Sequence, residues 1–232
     1  MFFQVLYWSF RPPFRFGLFM RSMEFVGVGS LFIIILTGSF TGAVMALQGI
    51  YAFGILEMEA MVGGSVALAL ARELSPVLAA LMVTGRVGSS MATEIGTMRV
   101  TEQIDAMETL AVNPIQYLIV PRVWATTIML PALCVIFTFV GMVGCYLVAV
   151  VWFQVDYGLF MAYIKSFMGS EDIINGVIKA SVFGTGLSVI GCYKGYTADG
   201  GARGVGAATT TAVVLASVMI FVLDYLLTAM MF

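Results

Sequence analysis

VWATTIMLPALCVIFTFVGMVGCYLVAVVWFQV, the run from Val123 to Val155, carries no charged side chain between Arg122 and Asp156. A helix needs only about 20 apolar residues to cross a hydrocarbon layer about 30 Å thick. The run therefore reads as a membrane span, predicted over 117–151, and the rest of the chain repeats the pattern. Phe25 to Leu56 is also uncharged and predicts a first span over 26–50, closed by a polar turn at Glu57 and Glu59. A second span over 61–87 is interrupted by Arg72, Glu73 and Pro76. Residues 88–115 are polar enough to leave the membrane core. An aromatic outer loop over 152–171 precedes a fourth span over 173–193. After the Gly-rich stretch Gly195–Gly206 comes a fifth, over 206–230. No internal repeat is visible, and the chain reads as one all-α, polytopic membrane domain.

Composition agrees with this reading. The 232 residues are 61% hydrophobic and 10% charged, against about a quarter charged in soluble domains. In water, that much apolar surface would leave large exposed patches. A net charge of −2 and the lack of any long Lys/Arg run give no reason to expect a nucleic-acid partner. The chain has no histidine, which removes the commonest metal ligand and general base. Cys134, Cys145 and Cys192 lie in or beside apolar segments at spacings unlike a metal site, and read as small buried hydrophobes. With no nucleophile–base pair either, neither a catalytic nor a metal site is expected.

Residues 1–23 stand apart. Phe2, Phe3, Tyr7, Trp8, Phe10, Phe14, Phe16 and Phe19 alternate with Arg11, Arg15 and Arg21, and Pro12-Pro13 interrupts them. Proline prevents one regular spanning helix. Aromatics beside arginines suit a segment in the headgroup layer; the alternative is a poorly ordered terminus. A cytoplasmic N-terminus puts Arg11, Arg15, Arg21, Arg86, Arg99, Arg122, Lys194 and Arg203 inside and leaves only Lys165 outside, with Lys179 a little way into span four. The asymmetry of basic residues favours that orientation, and five spans then place the C-terminus outside.

Three constellations stand out. In GRVGSSMATEIGTMRVTEQIDAMETLAVNPIQYL, residues 85–118, the residues Val100, Ile104, Met107 and Ala111 recur at helical spacing among Glu94, Arg99, Glu102, Asp105 and Glu108. This predicts an amphipathic helix over 93–112 with a narrow apolar stripe, stopped by Asn113-Pro114. Four carboxylates against one arginine argue against a helix resting on an anionic leaflet and for docking to a soluble partner. Second, Arg72 and Glu73 fall near the middle of an apolar span, where each charge costs a few kcal/mol. Neighbours on a helix point about 100° apart, so the two do not satisfy each other. Pro76 adds a break, because its ring meets the carbonyl of Arg72. Either this kinked, charged point faces a substrate path, or it belongs to a structural network. Third, Lys179 and Asp224 sit at similar depth in spans four and five and are read as an interhelical ion pair. Gly38 and Gly42, four apart, permit close helix approach, at a dimer seam or elsewhere. Trp152, Phe153, Tyr157, Phe160, Tyr163 and Phe167 anchor the outer loop in the interface or seat an outer partner.

The runs Arg72-Glu73-Leu74-Ser75-Pro76-Val77, Gly85-Arg86-Val87-Gly88-Ser89 and Glu94-Ile95-Gly96-Thr97-Met98-Arg99-Val100-Thr101-Glu102-Gln103-Ile104-Asp105-Ala106-Met107 resemble the MlaE-type permease family. The likeness extends over essentially the whole chain, through Pro121-Arg122 to Leu223-Asp224-Tyr225. It implies a homodimeric permease of the bacterial inner membrane with two cytoplasmic ABC ATPase subunits. An extracytoplasmic lipid-binding partner of the MCE type and phospholipid as cargo are implied as well. It also implies that 93–112, with Glu94, Arg99, Glu102, Asp105, Met107 and Glu108, is the helix coupling to the ATPase. No GxxxxGK[ST] loop occurs here, so ATP and Mg are expected in the partner and no cofactor in this chain. The rival from another class is an ion-coupled secondary transporter or channel using Arg72, Glu73, Lys179 and Asp224 as a relay.

Overall fold

The computed structural model describes every residue except Phe10, Pro13, Phe14, Leu56 and Phe232. The described residues form helices α1 Phe2–Ser9, α2 Phe16–Val26, α3 Val28–Gly54, α4 Val62–Ala69, α5 Ser75–Val83, α6 Ser89–Val100, α7 Gln103–Thr109, α8 Val120–Tyr146, α9 Tyr157–Phe167, α10 Ser170–Tyr196 and α11 Gly201–Met231. Short π-helical turns join several of them, at Leu70–Leu74, Thr84–Gly88, Ile115–Ile119 and Leu147–Trp152. Five continuous helical stretches are long and apolar enough to cross a membrane: Phe16–Gly54, Glu59–Val100, Ile115–Trp152, Ser170–Tyr196 and Gly201–Met231. The protein is an all-α polytopic membrane protein.

Helix is the only open form that satisfies every backbone polar group in lipid. Side-chain hydroxyls follow the same rule. In α3, Thr37, Ser39 and Thr41 each donate to the carbonyl four residues earlier, at 2.6–2.7 Å.

Several elements differ in extent from the sequence reading. Residues 16–23, read as part of an interfacial segment, form α2, which runs on to α3 through a single break at Gly27. Phe10, Pro13 and Phe14 of that segment lie outside the described residues. Glu59–Val100 is 42 residues long and absorbs both the second span and the first part of the segment read as one helix over 93–112. That segment instead forms α6 and α7, because Glu102 turns left-handed at φ 59°. No glycine or proline marks the break. Ala111 leaves α7 at φ 57°. Asn113 Oδ1 accepts from the N–H groups of Ile115 and Gln116, so Asn113-Pro114 starts the next helix as well as stopping the previous one.

The chain packs as two compact units. One comprises Met1–Ser30, Ala80–Leu130 and Ser181–Phe232; the other comprises Leu31–Ala79 and Pro131–Ala180. In the second unit α3 meets α8 at van der Waals contact of their backbones. A Cβ on Gly42 would overlap the Gly141 carbonyl, and one on Gly144 would overlap that of Ser39. The Gly38/Gly42 pair thus serves a seam within one chain. The aromatic loop of the same unit is folded rather than extended. Asp156 caps α9 by accepting from Leu159 N–H at 2.8 Å, and Phe160 and Phe167 pack against Gly63 and Gly64. In the first unit α6 lies along α11, tied by Thr93 and Thr209 at 2.8 Å, with Val205 over Gly96.

Candidate functional site

In the second unit two ion pairs rise along one face of α10. Asp172, Gly176 and Lys179 are spaced i, i+4 and i+7, so they share that face. Gly176 has no Cβ, and the Ala71 carbonyl occupies the place where one would be. This close approach brings α10 against the turn Leu70–Leu74. Arg72 Nε then donates to Asp172 Oδ1 at 2.6 Å, and Lys179 Nζ to Glu73 Oε2 at 2.6 Å. Arg72 and Glu73, adjacent in sequence, therefore take different partners.

Pro76 explains a further contact. Lacking an N–H, it cannot donate to the Arg72 carbonyl four residues earlier. The chain widens to a π-helical turn at Leu70–Leu74, and Lys179 Nζ donates to that carbonyl at 3.2 Å. One fully buried ammonium thus serves a carboxylate and a backbone oxygen. Asp172 is held in turn by the N–H of Gly169 at 2.8 Å. The side chains of Arg72 and Glu73 each keep 36% of their surface exposed, whereas Asp172 keeps 7% and Lys179 none. The α10 side is sealed and the Arg72–Glu73 side is open.

Asp172 lies in the first turn of α10 and Lys179 about two turns further along it, about 10 Å at 1.5 Å per residue. The Arg72 side chain reaches toward the start of α10 and that of Glu73 toward Lys179, so neighbours in sequence meet partners two turns apart. We propose, from their similar depth in the sequence, that Lys179 also pairs with Asp224.

In the first unit the acidic segment forms a polar elbow. Arg99 and Asp105 pair at 2.5 Å across the break at Glu102. The Tyr196 hydroxyl lies 3.2 Å from Glu108 Oε1, and Arg99 sits over the Tyr196 ring at 5.8 Å. Arg99, Glu102, Asp105 and Tyr196 border, with the turn Thr197–Gly201, a polar cavity of about 670 Å³. Glu94 lies elsewhere: Arg122 binds it at 2.9 Å while donating also to the Leu118 carbonyl at 2.7 Å. Of the residues read as a coupling set, Arg99, Asp105 and Glu108 are thus joined at the elbow, Glu94 belongs to a helix–helix pair, and Glu102 is exposed at the break itself. Ile104 is buried, Met107 half-buried and Leu110 exposed, so α7 anchors one side and offers another.

The sequence matches the family described as Permease MlaE over residues 19–230. The chain belongs to the MlaE permease family. A probable ABC transporter permease protein of Rickettsia felis is 46% identical over 225 residues, covering 96% of this chain and 86% of that protein. The intermembrane phospholipid transport system permease protein MlaE of Haemophilus influenzae is 42% identical, with the same coverage. The chloroplastic protein TRIGALACTOSYLDIACYLGLYCEROL 1 of Arabidopsis thaliana is 39% identical over 92% of this chain and 61% of its own length.

Two participants in this MlaE-family site escaped the sequence reading. Asp172 falls between the outer loop over 152–171 and the span over 173–193, yet its i, i+7 spacing to Lys179 across a glycine is a usable signal. Arg122 enters the sequence reading through charge asymmetry and the family likeness. Nothing local identified Glu94, a distant residue on another helix, as its partner.

Proposed function

We propose that this chain is the membrane permease subunit of an ABC transporter that moves phospholipids between the inner membrane and an extracytoplasmic lipid-binding partner of the MCE type. The observation that carries the reading is the one-sided exposure of the charge ladder. Arg72 and Glu73 are locked from behind by Asp172 and Lys179 yet remain half-open on their own side. A lipid presents both a charged phosphate and apolar chains, and a fixed charge beside an apolar wall suits both. The names of two relatives, a probable ABC transporter permease of Rickettsia felis and a phospholipid transport permease of Haemophilus influenzae, support the same reading.

The chain works as one of two copies, with its N-terminus cytoplasmic and its C-terminus outside. Two cytoplasmic ATPase subunits bind and hydrolyse ATP with Mg and press on α6 and α7 through Glu102, Met107 and Glu108. The elbow then passes the movement to the spans that α6 and the helix beginning at Pro114 continue. The ladder's surroundings change shape, and lipid passes between this path and the outer partner. Ion-coupled carriage is the weaker reading, because the Rickettsia felis relative is named a probable ABC transporter permease protein.

The reading is tested with the purified complex, measuring ATP-dependent transfer of labelled phospholipid to the outer partner. Met107→Asp with Leu110→Asp removes the apolar surface that α7 offers and leaves Ile104 in place. Transfer is expected to stop while the complex still assembles. Transfer at the unaltered rate would refute the coupling role of α7.

A further inference from the structure

We infer that the first unit holds a second lipid site, one that binds the phosphate of a phospholipid headgroup through Arg21. It shares no residue with the charge ladder. The site is a cavity of about 560 Å³ whose walls come from α2, α6 and the start of α8. Leu18, Phe25, Tyr117 and Met98 supply apolar and aromatic walls, and Arg21, Arg122 and Glu94 supply the charge.

Depth along three spans points to a headgroup. Arg21 is five residues from the start of the stretch Phe16–Gly54, Glu94 six from the end of Glu59–Val100, and Arg122 seven from the start of Ile115–Trp152. At about 1.5 Å per residue, all three lie about 8–11 Å inside their helix ends. The shared offset places the three charges in one layer beside aromatic side chains, and arginine and aromatic residues together collect between water and hydrocarbon.

Charge complementarity selects the phosphate. Two guanidinium groups face one carboxylate, and Glu94 is already bound by Arg122. Arg21 has no hydrogen bond or ion pair among the described residues, although five N–H donors project from its guanidinium. A phosphate is the anion a membrane offers at this depth, and guanidinium pairs with it in a two-pronged geometry. Arg122 uses one N–H on the Leu118 carbonyl and one on Glu94, which leaves donors for the same phosphate. Ser22 of α2 and Ser90 of α6 also line the cavity, and their hydroxyls suit the glycerol or head oxygens. A bound lipid would join α2 to α6 and α8.

The test uses the full chain in phosphatidylcholine nanodiscs. A trace of phosphatidic acid, carrying a photoactivatable diazirine beside its glycerol, is the probe, and labelled peptides are mapped. Labelling is expected on Leu18–Phe25 and Tyr117–Arg122. Arg21→Gln should lower it about tenfold, the factor that accompanies loss of one charge-assisted hydrogen bond. Arg21→Lys should retain most of it, and Arg203→Gln, an exposed cation elsewhere, should change nothing. Ser90→Leu fills the cavity with Arg21 in place and should give the same loss as Arg21→Gln. Unlabelled phosphatidic acid should compete with the probe, and inorganic phosphate should not. Wild-type labelling in Arg21→Gln or in Ser90→Leu would overturn the proposal. So would an equal loss in Arg203→Gln, which would mark diffuse attraction, or competition by inorganic phosphate, which would mark a soluble-anion site.

Discussion

Removing the ammonium of Lys179 tests the ladder most directly. Lys179→Met keeps the length and apolar stem of the side chain, so little cavity is left. What disappears is the donor that serves Glu73 Oε2 at 2.6 Å and the Arg72 carbonyl at 3.2 Å. Breaking a buried ion pair by removing one partner costs about 3–5 kcal/mol. Glu73 keeps 36% of its side chain exposed and so recovers some solvation, which places the loss near about 3.5 kcal/mol. Glu73→Gln leaves Lys179 with the carbonyl and an amide oxygen, for a loss of about 2 kcal/mol. Two independent effects would sum to about 5.5 kcal/mol, whereas the double variant, in which neither member of this pair is left without the other, is expected at about 3.5 kcal/mol, a coupling of about 2 kcal/mol. Reversible unfolding of the purified protein in mixed micelles, titrated with SDS and followed by far-UV circular dichroism, measures all four states. Additivity within about 0.5 kcal/mol would refute the pairing. A parallel cycle with Asp224→Asn tests the pairing of Lys179 with Asp224, and additivity there would refute that one.

Two further substitutions probe the backbone. Gly42→Ala puts a methyl group into the Gly141 carbonyl and is expected to lower stability by about 1–3 kcal/mol; Gly17→Ala, with open space around it, should not, and equal melting of both variants would refute the α3–α8 seam. Glu102→Gly relieves a left-handed φ of 59° at the elbow and is expected to raise stability by up to about 1 kcal/mol. A loss of stability from Glu102→Gly would show that its side chain holds the break together.

The five spans were legible because a spanning helix is a local demand. Length, hydropathy and freedom from charge lie within one segment, as between Arg122 and Asp156, and no distant residue alters them. Pro76 was legible for the same reason, since its ring disrupts its own helix. The break at Glu102 was not. The segment 93–112 has helical spacing throughout, and no glycine or proline announces a left-handed residue. Arg99 and Asp105 close the elbow only after the chain has turned, so the contact is a consequence of the fold rather than a pattern in the sequence.

The ladder divides the two kinds of information most clearly. Sequence alone established that Arg72, Glu73 and Lys179 sit in apolar helices and that each needs a partner, because an unmatched charge in lipid is too costly to persist. Tertiary structure chose the partners. Lys179 and Glu73 are 106 residues apart and Arg72 and Asp172 are 100 apart, so their meeting depends on how closely α10 approaches the turn at Leu70–Leu74. That approach is set by a missing Cβ at Gly176 and by the Arg72 carbonyl, to which Pro76 has no N–H to donate and Lys179 does. The need for neutralisation belongs to each residue's own segment, whereas the identity of the neutralising group is a property of helix packing.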